Sequence, residues 1–327
     1  MSKPAIAFAL VAAILVTSAQ TPAPNTPVVR PAQGAAAPTA SAFVVGLTRW
    51  SGGIEIVGRY TGERWVNTWP PPVEPGGPVP ALAQIPAAWL AKSVPRDWHV
   101  WGRDGASFVM RVNGTRRGVG ESQGCTQPLV LTLDTPTGVP RDFFDDLIAI
   151  DTPQPVERVE PVLREGTEWL RLEPVIRSAV LARQAAMLSG GEWTADVRAR
   201  VASAPVRVES LIRASRADLP LFAYYFSATK RIEHDGSTLG FVVSGWILAV
   251  GSGPESPSNA RTSNVKARRF GGEEDSGRAL EPLAIFRVGT RVFWLVSVPG
   301  YEWVTFVFVE VTPANVRDVL TTDGGGC

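Results

Sequence analysis

Histidine and cysteine are scarce: His99 and His234, Cys125 and Cys327 are the only two of each in 327 residues. Without an HExxH pair or paired CxxC spacing, imidazole and thiolate cannot assemble a zinc site, and no metal is expected. Asp142, Asp145 and Asp146 lie close together but lack the alternating spacing and glycine of a calcium loop. Nucleophilic catalysis is also short of bases. A Ser-His-Asp triad would need His99 or His234, and there is no G-x-S-x-G elbow. Gln123-Gly124-Cys125 lacks the residues that follow a thiol-protease nucleophile, so a Cys125–His99 pair is poorly supported. No catalytic residue is assigned.

An excess of one charge is missing too. Lys and Arg number 32 against 31 for Asp and Glu, a formal net charge of +1, so no broad field gathers nucleic acid. The basic run Lys266-Ala267-Arg268-Arg269 is soon answered by Glu273, Glu274 and Asp275, and reads as a solvated loop. The glycine cluster Gly114 to Gly124 holds Arg116 and Arg117 but not the lysine and serine of a phosphate cradle. No cofactor is expected.

The apolar stretch Ala5 to Val16 falls short of the roughly 20 residues that span a bilayer. With Lys3 before it and Thr17-Ser18-Ala19 after it, residues 1–19 read as a signal peptide cleaved near Ala19. The expectation is export to the periplasm or the extracellular space, with no membrane span after cleavage. In an oxidising compartment Cys125 and Cys327 are candidates for a disulfide. Its closure would contribute at most about 5 kcal/mol.

Residues 20–41 hold five prolines among Ala, Thr and Gln and read as a disordered tether. From Ala42 onward, short β-prone runs alternate with glycine turns, predicting a β-rich domain over 42–172. Its strands are Phe43–Trp50, Ile54–Tyr60, Arg64–Trp69, Trp98–Trp101, Ser107–Val112 and Leu129–Leu133, with Asp104-Gly105 and Asn113-Gly114 as turns. A loop with eight prolines covers Pro70 to Pro95, and a hairpin joins Val156–Leu163 to Glu168–Leu172. An α+β domain over 173–321 follows. It opens with one long buried helix around 174–188 and a shorter one capped by Thr194. Six antiparallel strands and a short helix, Ala314–Leu320, complete it before the Gly-rich tail 322–327, which ends in Cys. The fold class is therefore mainly β with an α+β second half, built from antiparallel hairpin and meander sheets.

Tryptophan is abundant: eleven in all, six of them between Trp50 and Trp101. Residues four apart on a strand share a face, about 13 Å apart at roughly 3.4 Å per residue, so Trp65 and Trp69 are candidate stacking rungs for a glycan or peptide. Core packing is the competing role, since large aromatics in strands usually fill cores. In Pro95-Arg-Asp-Trp-His-Val-Trp-Gly-Arg-Asp-Gly105 the spacing puts Trp98 and Trp101 on opposite faces, with His99 on the side of Trp101. The functional expectation is a non-enzymatic exported binding or structural component of the cell envelope, with a glycan or envelope protein as partner. The alternative is a secreted glycosidase-like hydrolase using paired carboxylates such as Glu55, Glu63, Asp97, Asp104 and Glu121, a reaction that needs only an acid and a second carboxylate.

Overall fold

Runs of β-branched and aromatic residues pair as antiparallel strands wherever a short turn returns the chain. The computed structural model describes residues 41–49, 53–67, 69, 77–85, 87, 94–102, 107–117, 128–134, 147–189, 193–214, 221–250, 260–271, 280–299 and 303–326. β1 (Phe43–Arg49) and β2 (Gly53–Tyr60) form the first hairpin, and β3 (Trp65–Val66) joins the far end of β2. β4 (Asp97–Trp101), β5 (Ser107–Arg117) and β6 (Leu129–Leu133) follow as a meander. β7 (Ile148–Ile150) bridges β1 and β4, while β6 pairs with β2. The ring β1-β7-β4-β5-β6-β2 is thus a closed six-stranded barrel, which removes the open edges of a flat sheet. Ile54, Ile56, Trp98, Val100, Met110 and Leu131 belong to the barrel's own core, and Leu82, Ile85 and Val94 of the proline-rich loop pack against it.

Two five-stranded sheets follow. One comprises β8 (Val156–Glu157), β14 (Glu281–Val288), β15 (Arg291–Pro299), β16 (Trp303–Val311) and β17 (Val316–Gly326), in the order β17-β16-β15-β14-β8. The other comprises β9 (Val159–Pro161), β10 (Arg207–Ala214), β11 (Leu221–His234), β12 (Ser237–Val250) and β13 (Arg261–Phe270), in the order β13-β12-β11-β10-β9. They share a core in which Trp246 meets Trp294 edge to face at 4.8 Å. α1 (Thr167–Ser189) and α2 (Ala195–Ser203) cover the free face of the β9–β13 sheet, setting Leu172, Ile176, Val180, Val197 and Val201 among Phe226, Phe241 and Val243. The barrel wall packs on the β14–β17 sheet through Phe43, Tyr60 and Trp65 against Phe286, Phe293 and Phe308. The layers therefore run helices, sheet, sheet, barrel. This is the mainly β, antiparallel architecture with one long helix that the sequence predicts.

Several expected elements differ. Glu168–Leu172 is not a strand but the first turn of α1: Trp169, Leu172, Ile176 and Val180 recur at helical spacing and carry the helix back past Pro174. Pro174 lies on the exposed side, where water can serve the Leu170 carbonyl that its missing N–H cannot bond. The position between residues 172 and 173 therefore falls inside a helix. Asn113-Gly114 is not a turn; it lies within β5 at a register shift, a bulge that the same residue chemistry favours. The Lys266–Arg269 run is not a loop but part of the edge strand β13, where Val265 and Ala267 pack inward and cations blunt the edge. Residues 316–326 form β17 instead of a helix and a tail, because β16 offers an edge and Val316 is buried between the sheets. Thr194 caps α2 as expected, accepting the Val197 N–H at 3.3 Å. The Asp104-Gly105 turn lies outside the described residues.

Candidate functional site

The chain between barrel and helices crosses from one sheet to the other, and that crossing makes a cleft. β8 runs antiparallel to β14, pairing Val156 with Phe286 and Glu157 with Ile285. After Arg158 the chain leaves β14 and becomes β9, pairing Val159 with Ala214 and Pro161 with Ile212. Had it stayed, Val159 would have faced Leu283 and Pro161 would have faced Glu281. A wedge opens instead between residues 158–161 and 281–283. The barrel bounds it with Trp101 and Ile148, which pair across β4 and β7. The cleft encloses about 410 Å³, within the range of small-molecule sites.

Its walls are apolar with a few polar groups. Leu147, Ile148, Val156, Val159 and Leu283 contribute the apolar surface. Glu157 is 8% exposed and held through both oxygens by Arg287, whose Nη2 donates at 3.0 Å to Oε2 and whose Nε donates to Oε1. That fork neutralises the carboxylate. Glu281 is exposed, and its carboxylate has no partner among the described residues. Arg158 supplies a cation on the opposite wall. The Trp101 side chain lines the cleft, while its indole nitrogen is buried without an acceptor among the described residues.

Trp65 and Trp69 form no pair of rungs. Trp65 is 4% exposed, stacked on Phe308 at 3.9 Å between barrel and sheet, so no ligand reaches its ring. Trp69 packs on the other core, the barrel's own, and its indole donates to the Leu129 carbonyl at 2.8 Å. The two diverge because Asn67 Oδ1 accepts the Trp69 N–H at 3.2 Å, a turn that ends β3 at Val66. Trp98 and Trp101 do occupy opposite faces: Trp98 is in the barrel core, and Trp101 packs against the core shared with the sheet. His99 is half-buried beside them and does not line the cleft. His234 meets Arg200 Nη1 through Nδ1 at 3.0 Å at the β11–β12 turn.

The anticipated carboxylates that fall among the described residues are not gathered either. Glu55 is 2% exposed in the barrel wall, Glu63 lies in the turn before β3, and Asp97 pairs with Arg111 at 3.2 Å. Asp104 and Glu121 lie outside the described residues, as do Cys125, Cys327 and the Asp142, Asp145, Asp146 group. Among the described residues no three metal-ligating side chains cluster, and no helix is long and apolar enough to cross a membrane. The sequence reading missed Trp101, Glu157 and Glu281 as a group. Only Pro161 and Pro282 flag the segments concerned, because a sheet-switching strand carries no pattern of its own. No protein-family model matches the chain, and no curated protein or solved structure matches it.

Proposed function

We propose that the chain is an exported, non-enzymatic binding component of the cell envelope or its surroundings, with the wedge beside Trp101 as its ligand site. The observation that carries this reading is the wedge itself: apolar walls, the Trp101 side chain and a carboxylate with no partner among the described residues meet where two sheets and the barrel converge. Glu157, with both oxygens held by Arg287, has no free face from which to serve as an acid, which supports binding over turnover. The signal-like residues 1–19 support export. Cell fractionation with mass determination of the product tests export; a cytoplasmic chain retaining residues 1–19 would count against it. Ligand binding is tested by thermal shift of the purified full chain against envelope fragments, since anything bound to the native state raises Tm. Leu283→Arg, which places a charge in the wedge, should abolish the shift.

A secreted hydrolase is the second reading, favoured by two carboxylates lining one cleft, with the exposed Glu281 as the reacting group and Glu157, held by Arg287, as a fixed charge. It predicts turnover on a polysaccharide panel that Glu281→Gln removes. No turnover on polysaccharide, ester or peptide substrates would discard it.

A further inference from the structure

We infer that the wedge takes a short neutral glycan, one or two pyranose units, and rejects an extended peptide; the inference rests on reading the wedge as a ligand site. A peptide is the first occupant to consider, because the wedge is a vacated strand position beside β14 and open sheet edges recruit strands. The backbone there is unfit for that. Pro161 and Pro282 line opposite walls, each lacking the N–H a new strand would bond. The β14–β15 register also shifts between Pro282 and Ala284, so Leu283 interrupts the regular spacing of donors and acceptors.

Recognition is therefore left to side chains. A pyranose presents apolar C–H faces to the Trp101 ring and to Val159 and Leu283. Its hydroxyls can donate to Glu281, while its oxygens can accept from Arg158. Arg287 cancels Glu157, and the exposed Glu281 carboxylate repels an anionic ligand, so the site favours a neutral sugar over an acidic one.

The test is an NMR titration of the ¹⁵N-labelled full chain, with the Trp101 indole signal assigned through Trp101→Phe. The probes are β-1,4-linked dimers of glucose, N-acetylglucosamine and mannose, a uronic acid dimer, and an alternating Val-Thr hexapeptide. At least one neutral dimer should shift the Trp101 signal saturably, and Glu281→Gln, at an exposed position, should weaken that binding about tenfold. A response to the peptide or the uronic acid dimer but to no neutral sugar overturns the glycan inference and leaves the wedge a binding site. Silence towards every probe, with a dispersed spectrum of the folded chain, overturns both.

Discussion

Trp65 joins two parts of the molecule with one ring: it stacks on Phe308 at 3.9 Å and meets Phe43 and Phe293 nearly edge-on. Trp65→Ala should cost about 3–5 kcal/mol in urea unfolding, the usual loss for a buried tryptophan. The density of tryptophan was legible as core material, but the partners were not, because Phe286, Phe293 and Phe308 lie over 200 residues away in the chain. Lys230 is a second residue whose surroundings decide its behaviour. It is 4% exposed, and its Nζ donates to Gln184 Oε1 at 2.6 Å and to the Ala202 carbonyl at 2.5 Å. Burial lowers its pKa below the ordinary lysine value of 10.5. Between that lowered pKa and 10.5 the unfolded chain holds a proton that the folded chain has released, so stability rises with pH. The stability of the native sequence relative to Lys230→Met should therefore increase across this alkaline window, measured by urea unfolding at successive pH values.

At the scale of elements, hairpins with glycine turns were legible because their chemistry is local. Asp235-Gly236 takes φ of 50° and 80°, and Gly289 takes 61°, as such turns require. Elements defined by partners were not. β13 and β17 exist because β12 and β16 offer edges, and β8 and β9 are divided between two sheets by long-range pairing. The β11–β12 hairpin also contains a contact that only glycine allows. A Cβ on Gly240 would lie 2.2 Å from the Lys230 carbonyl oxygen and 2.9 Å from Arg231 Cα, both backbone atoms of the facing strand. Gly240→Ala should push the strands apart, lowering stability by about 1–3 kcal/mol. Hydrogen exchange should show loss of protection confined first to the amides of β11 and β12.

Over the whole molecule, barrel and sheets are joined by polar as well as apolar contacts. Arg291 donates through Nε to Glu310 Oε1 at 2.7 Å, and through Nη1 to the Tyr60 hydroxyl at 3.2 Å and the Glu63 carbonyl. Arg317 reaches the other Glu310 oxygen at 2.6 Å. Burial alone pushes the Glu310 carboxyl up, but the hydrogen bonds and charges of Arg291 and Arg317 outweigh it and hold it below the ordinary value of 4.5. The stability it contributes is complete above the unfolded pKa and is lost as pH falls through the lower folded one. Glu310→Gln should cost about 2 kcal/mol at pH 7, the scale of hydrogen bonds to a charged group, and should flatten the acid limb of the stability profile. Because Arg291 ties the β2–β3 turn to β15 and β16, the variant also loosens the seam between barrel and sheet. Tryptophan fluorescence and far-UV circular dichroism should give coincident unfolding transitions for the native sequence at pH 7, as a shared core demands. Transitions that already separate in the native sequence would show that the seam does not couple the two parts, and that Arg291 is a surface contact.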